Sequence, residues 1–336
     1  MILIDALHIN NGGGKVLLDY LVDKLEKTNL ELFYLFDDRI KKTYNVKQSN
    51  QAVYMNSSII KRYNFYIKYK NRFAKILVLG NIPPLVNTNA EVYTYFHNSV
   101  YLNVPNDFSF IEGTKYGLKV GIIKWMSPNT NYWLVQSETV KEQFINKFRQ
   151  SNKVKVLPFF PKLERTQGVK RVKSTFLYVS NATPHKNHHR LIEAFCRAYD
   201  KLQRGKLIVT VAEQYSDLLK RLKSIQDEGY PIENIGFVDR LTLARKYQES
   251  EYIIFPSLAE SFGLGLVEGI SMGCKVLGAN LPYTFAVCEP SLVFDPTNVI
   301  DIEGVIIKAM YSELPQSKTK VYNKIDELIS IFKNYE

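Results

Sequence analysis

The sequence predicts an α/β protein of two doubly wound, Rossmann-like domains facing each other across a cleft. Three observations carry that expectation. At 336 residues the chain is long enough for two domains, at roughly 150 residues each. Short apolar runs alternate with amphipathic stretches, as βα units around a parallel sheet require. A polar, charge-rich stretch over 161–173 reads as a linker between two such series.

In the first domain, 1–160, strands are expected at 2–6, 30–36, 52–55, 76–79, 92–96, 132–136 and 154–157. Helical patterns lie between several of them, including 15–27 and 138–149. The second domain, 161–315, has strand candidates at 176–180, 207–211, 235–238, 252–255 and 275–278. Its helix candidates are 187–199, 215–227, 242–250 and 263–272. A last helix, 318–334, follows the breaker Pro315. It belongs to a C-terminal segment, 316–336, for which the first domain is a candidate packing surface. In doubly wound sheets ligands bind beyond the carboxyl ends of the strands, so chemistry is expected there.

Composition narrows the class. Hydrophobic residues make up 46% and charged residues 23%, ordinary for a globular protein. No apolar run reaches the roughly 18–20 residues of a membrane span. The segment 76–86 comes nearest, and Pro83 and Pro84 interrupt it. The N-terminus lacks the basic opening and apolar core of a secretion signal. Cys196, Cys274 and Cys288 are an odd number without close spacing, which argues against a disulfide framework or a thiolate zinc site. The expected location is the cytoplasm, with the inner face of the membrane as a peripheral site.

The net charge of +11 is uneven. Residues 1–160 hold 21 Lys and Arg against 12 Asp and Glu, and the remainder 23 against 21. A basic first half points to an anionic partner: nucleic acid, lipid headgroups or a phosphorylated substrate. Within it, 59–75 carries Lys61, Arg62, Lys68, Lys70, Arg72 and Lys75, interleaved with Tyr63, Phe65, Tyr66, Tyr69 and Phe73, and no acid. Such a segment suits a membrane surface or an acceptor. It also suits stacking on single-stranded nucleic acid.

The most informative segment is YIIFPSLAESFGLGLVEGISMGCKVLG, residues 252–278. A buried strand runs into a loop, and a glycine-bearing helix is expected to begin near Phe262. Ser261 is the expected N-cap, and Gly263 lets a ligand approach the first turn. Exposed N–H groups at a helix start form an anion site. Glu260 precedes that start and Glu268 is expected two turns on. Carboxylates accept hydroxyl hydrogen bonds, which suits sugar and ribose.

This segment resembles the E-x7-E signature of family 4 nucleotide-sugar glycosyltransferases, which have the GT-B fold. Pro256-Ser257, Glu260, Phe262-Gly263-Leu264, Glu268 and Gly273 stand in register with it. The likeness extends over about 176–296 and, more weakly, over the rest of the chain. It implies that Glu260 contacts the donor sugar, Glu268 the ribose, and the backbone of Ser261, Phe262, Gly263 and Leu264 the donor. Gly265 stands where proline is usual and Gly269 where alanine is usual.

A second segment, FLYVSNATPHKNHHRLIEAF, resembles the family loop that grips the donor diphosphate. Lys186 matches its lysine, while Asn181 replaces a common arginine and so offers weaker anion stabilisation. His185, His188 and His189 lack a carboxylate or thiolate to complete a metal site and are expected to be solvated. In the first domain Gly12, Gly13 and Gly14 follow the first strand. They fail both the P-loop and the dinucleotide patterns. The resemblance places this loop beside the donor diphosphate and acceptor. It also implies an active-site histidine after the strand ending at Phe96, which here is His97.

Departure of a nucleotide diphosphate leaves negative charge that something positive must meet. Asp37-Asp38 lacks the spacing of a metal-binding D-x-D motif. Lys186 and helix-start amides are therefore the expected stabilisers, with no cofactor or metal. The resemblance implies a retaining transfer of a hexosyl-type sugar to a glycan acceptor, lipid-linked by preference, in O-antigen or capsule assembly. Competing readings are a nucleotide-sugar epimerase or sugar phosphorylase on a related fold, and a non-catalytic nucleic-acid or membrane binder. Paired glutamates around a helix start disfavour nucleic acid.

Overall fold

The computed structural model describes residues 1–41, 43–103, 110–150 and 153–333. The chain divides into two units. One holds the described residues up to Pro161 and those from Tyr322 onward; the other holds Lys162–Val321. Each is a Rossmann-like α/β unit with a wholly parallel main sheet.

The first sheet contains β1 (Ile2–Ala6), β2 (Leu32–Asp37), β3 (Gln51–Met55), β4 (Lys75–Leu79), β5 (Glu91–Phe96), β6 (Tyr132–Val135) and β7 (Val154–Val156). Their spatial order is β3-β2-β1-β4-β5-β6-β7. All seven expected strands are present. Every residue of β1 and β2 is buried, as a parallel sheet covered on both faces requires. The unit's helices are α1 (Gly12–Leu25), α2 (Ile59–Tyr69), α3 (Phe110–Met126) and α4 (Glu138–Phe148). Phe65 and Tyr66 of α2 pack on Phe33, Ile76 and Val92. Ile123 of α3 and Phe144 of α4 pack with Phe96 and Trp133. Val92 and Phe96 lie four residues apart on one strand and share a face, so α2, α3 and α4 cover the same side of the sheet.

Arg62 departs from the expected surface role. It is 1% exposed. Its guanidinium donates to Asp5 at 2.8 Å and to the carbonyls of Ile82 and Pro83 at 3.1 Å, while Tyr66 OH donates to the same Asp5 oxygen at 2.7 Å. On α2 it shares the inward side with Phe65 and Tyr66, so helical phase carried it into the core. Pairing and saturated hydrogen bonding make that burial tolerable.

The second sheet contains β8 (Val172–Tyr178), β9 (Lys206–Val209), β10 (Ile232–Asn234), β11 (Ser250–Phe255), β12 (Lys275–Ala279) and, after the short β13 (Cys288–Glu289), β14 (Leu292–Phe294). Their order, β10-β9-β8-β11-β12-β14, repeats the winding of the first sheet. β13 pairs antiparallel with β15 (Lys318–Thr319). Helices α5 (His188–Leu202), α6 (Ser216–Asp227), α7 (Arg240–Glu249), α8 (Leu264–Ser271), α9 (Pro282–Val287) and α10 (Val299–Tyr311) complete this unit.

Local chemistry explains where this unit differs from expectation. The strand expected at 235–238 lies three residues earlier. The Asn234 side chain bonds the backbone of Val211 in both directions and accepts from Gly236 N–H, and Gly236 then turns with φ +61°. That ends the strand. The stretch 161–173 is not a free linker. Arg165 donates to Ser271 O, Arg171 to Met272 O and Ser250 O, and Thr166 exchanges bonds with Gln248. Its cations cap the last carbonyls of α7 and α8. The final helix, α11 (Ile325–Lys333), starts later than expected because β15 occupies Lys318–Thr319. Asn334 lies outside the described residues. Within the first unit Phe332 packs edge-on against Tyr93, and Lys75 donates to Ile331 O at 2.6 Å.

The glycine at 269 has a packing reason. A Cβ there would sit 2.6 Å and 2.8 Å from two Ile253 carbons on β11. Gly269→Ala gains about 1 kcal/mol of helix propensity against overpacking of about 1–3 kcal/mol. The expected net result is a lower urea midpoint; an unchanged or higher midpoint would show that Ile253 yields without cost.

Candidate functional site

In the second unit two loops meet beyond the carboxyl ends of adjacent strands β8 and β11. After β8 the chain makes a 3-10 turn at Pro184–Lys186, and Asn187 takes a left-handed φ of +60° to start α5. The buried Asn187 amide donates to Pro256 O at 3.1 Å and Pro296 O at 2.7 Å, and accepts from Arg190. Tyr178 OH donates to Lys186 O and lies 2.9 Å from Ser257 Oγ. Leu258 N–H donates to His185 O at 2.8 Å. These bonds hold the two loops as one piece. Lys186 Nζ consequently sits 2.5 Å from Glu260 Oε1, with the two side chains only 16% and 11% exposed.

The helix after the second loop starts later than expected. Its N-cap is Gly263, at φ +72°, and Ser261 does not cap it. A Cβ on Gly263 would lie 3.0 Å from Leu266 Cδ1, so left-handed backbone and crowding both select glycine. Glu268 is thereby about one turn into α8, not two. It is buried, with Oε1 2.5 Å from Arg240 Nη1 and Oε2 accepting from Tyr247 OH at 3.1 Å. Burial pushes its carboxyl upward, and Arg240 and Tyr247 oppose that shift. The position of a Gly265 Cβ lies 3.2 Å from Tyr247 OH and 3.8 Å from Val179 O. The first turn of α8, with outward N–H groups, therefore lies beside the chain leaving β8.

Arg240, Tyr247, Tyr178 and Asn187 escaped the sequence reading. Asp239 marks the α7 start, accepting from Thr242 N–H at 2.8 Å, but gives no sign that Arg240 turns toward Glu268. Asn181 is exposed, and its Oδ1 accepts from Thr183. The expectation of three solvated histidines fails at His188, which is buried and packs at a tilt against Tyr178 with ring centroids 4.8 Å apart. It shares a helix face with Leu191, Ile192 and Phe195. Burial, reinforced by Lys186, depresses its pKa to about 3. His185 is lowered to about 4 for the same reasons. His189 is exposed and contacts Arg221. Among the described residues no three His, Cys, Asp or Glu side chains group as metal ligands.

In the first unit the glycine loop and His97 come together. Gly12 has φ +60°, and Cβ atoms on Gly12 and Gly13 would meet nothing within 4 Å. The Gly14 position faces His97 Cε1 and Ile9 Cδ1 at 3.4 Å. His97 follows β5, and its N–H donates to Asn81 Oδ1 at 2.7 Å. Asn81 Nδ2 lies 3.5 Å from His97 Nε2. Burial lowers the imidazole pKa to about 4, so the ring is neutral near pH 7. Of the basic segment, Lys61, Lys68 and Arg72 are exposed and Lys70 half-buried. Arg72 stacks over Phe33 and Tyr69.

Comparison with known proteins gives this geometry a family. A model described as Glycosyl transferases group 1 matches residues 159–326. The serotype-specific mannosyltransferase WbdA of Escherichia coli is 30% identical over 159 residues, 45% of this chain and 20% of that protein. The O-antigen chain mannosyltransferase B of Escherichia coli is 27% identical over 141 residues, 41% of this chain and 37% of that one. The chain thus spans about a fifth of WbdA and little more than a third of the second relative. Among solved structures, Anabaena HepE in complex with UDP and glucose superposes with TM-score 0.66 at 12% identity, covering 93% of this chain and 89% of that one. The lipopolysaccharide outer core galactosyltransferase WaaB gives 0.60 at 14% identity, covering 99% and 94%. These structures share the GT-B fold with this chain. With half of its length matched by the family model, the chain belongs to the group 1 glycosyl transferases.

Proposed function

We propose that the chain is a retaining, metal-independent hexosyltransferase of the family 4 type. It moves a sugar from a nucleotide-diphosphate donor held by the second unit to a glycan acceptor held by the first. Surface polysaccharide assembly of the O-antigen or capsule kind is the expected setting, with a lipid-linked acceptor and peripheral contact with an anionic membrane. The Escherichia coli relatives, by their descriptions, support that setting.

The observation that carries this reading is the Lys186–Glu260 contact. It joins a cation for a departing diphosphate to a carboxylate for sugar hydroxyls. An ammonium has three donors, so bonding to Glu260 leaves capacity for phosphate oxygens. The α8 start adds amides and a positive dipole end. Glu268 supplies the ribose acceptor, steadied by Arg240 and Tyr247. In the first unit neutral His97 and the open backbone at Gly12 and Gly13 suit the acceptor and the reacting sugar. The two-cation, two-carboxylate arrangement has no evident use in a nucleic-acid binder.

A thermal-shift panel of nucleotide-sugars tests this, followed by mass spectrometry with lipid-linked acceptors in the presence of EDTA. The correct donor at about 100 Kd stabilises its unit by about 2.7 kcal/mol. Product should form with chelator present and keep the donor's anomeric configuration by NMR. Turnover that needs magnesium or manganese would remove the metal-independent mechanism. Conversion without acceptor would make the protein an epimerase, and dependence on free phosphate a phosphorylase.

A further inference from the structure

We propose that the outer sides of α2 and α3 together form a docking surface for an anionic lipid bilayer. Ile59, Ile60, Tyr63, Ile67, Leu118 and Trp125 enter the headgroup region, and the lysines beside them bind lipid phosphates. This deepens the membrane contact suggested above, and its test needs no turnover.

The surface follows from helical phase. On α2, Phe65, Tyr66 and Arg62 point into the unit. Ile59, Tyr63, Ile67 and Ile60 fall within an arc of roughly 100° on the other side, and all are exposed, Ile60 at 72%. Exposed Lys61 and Lys68 lie farther round the same exposed side, beyond Asn64 and roughly 80–100° past Ile60. On α3, Ile123 and Met126 are buried, while Leu118 and Trp125, seven residues apart, are 67% and 74% exposed. Exposed Lys115, Lys119 and Lys124 surround them. Segment 59–75 contains no acid, and α3 contains one, Glu112, against Lys115, Lys119 and Lys124. Both helices cover the same face of the first sheet. The segment between them is anchored to each: Arg62 donates to Ile82 O and Pro83 O, and Asn129, just after α3, donates to Pro84 O.

Large apolar side chains grouped on a surface mark an interaction site. Its character selects the occupant. Four of the six side chains are aliphatic and offer bases no ring to stack on, whereas aliphatic, tyrosine and tryptophan side chains accompanied by lysines match an interfacial helix. Charge complementarity then favours anionic over neutral lipid. Among the described residues no helix is long and apolar enough to cross a membrane, and contact of this kind needs none.

The chain carries its own reporter. It has two tryptophans, and Trp133 is wholly buried. The full chain should co-sediment with phosphatidylglycerol-containing vesicles and not with pure phosphatidylcholine vesicles. Its emission should shift to the blue as Trp125 leaves water. Lys61→Glu/Lys68→Glu should weaken vesicle binding tenfold or more, on the scale of one lipid-bound charge per lysine. Ile60→Ser/Ile67→Ser should weaken it as well, with circular dichroism unchanged because these side chains are exposed. Equal binding by both variants, or no binding to anionic vesicles, would overturn the proposal. So would a dimer in solution that the isoleucine variant splits without any lipid affinity, or tighter binding to a single-stranded RNA oligonucleotide than to vesicles.

Discussion

Lys186→Ala is expected to lower kcat/KM for the sugar donor about 10²–10³-fold. Its Nζ is the cation held at the junction of the β8 and β11 loops, 2.5 Å from Glu260. In the proposed transfer, bond cleavage places charge on the leaving diphosphate, so a fixed positive group is worth more in the transition state than in the ground state. The loss should therefore fall mainly on kcat. Lys186→Arg keeps the charge but not the shape of the donor set and should retain an intermediate rate. Glu260→Gln separates the partners, since it leaves the ammonium in place and removes only the carboxylate. If Lys186→Ala kept full activity with a native melting curve, the proposed role of this contact would be lost.

Asp5→Ala is expected to destabilise the first unit by about 3–5 kcal/mol. Asp5 is the fourth of the five residues of the buried strand β1 and takes bonds from both Arg62 and Tyr66. Its removal leaves a buried guanidinium with carbonyl partners and no counter-charge, the costly half of the asymmetry between breaking and replacing a buried pair. Replacing both partners, as in Asp5→Leu/Arg62→Met, should recover most of the loss because no unpaired charge remains. Urea unfolding of the single and double variants reads this directly. A cost below about 1 kcal/mol for Asp5→Ala would mean that Arg62 finds another outlet, a coupling of the kind seen when neighbouring sites relax together.

Much of the fold was legible because apolar periodicity reports burial locally. All seven strands of the first sheet coincide with apolar runs of the sequence. The errors have physical causes. The strand expected at 235–238 was displaced by a side-chain cap at Asn234, and side-chain hydrogen bonding leaves little trace in hydropathy. Arg62 was placed on the surface because charged residues are rarely buried unpaired, and its partner stands 57 positions away. Arg165 and Arg171 looked like linker residues because the helix ends they cap come about a hundred positions later.

The candidate site divides in the same way. Residue types and spacing in 252–278, with their family resemblance, singled out Glu260, Gly263 and Glu268, and the loop after the strand expected at 176–180 singled out Lys186. The amino-acid order alone determined the alternation of strands and helices, and with it which loops leave the carboxyl ends of strands. Tertiary structure alone decided that β8 lies beside β11, which brings Lys186 to Glu260 across 74 positions, and that Arg240 pairs with Glu268. Periodicity along a chain records how much of each side chain is covered. Which distant group covers it depends on strand order and on the closure of long loops, and those are settled only when the whole sheet assembles.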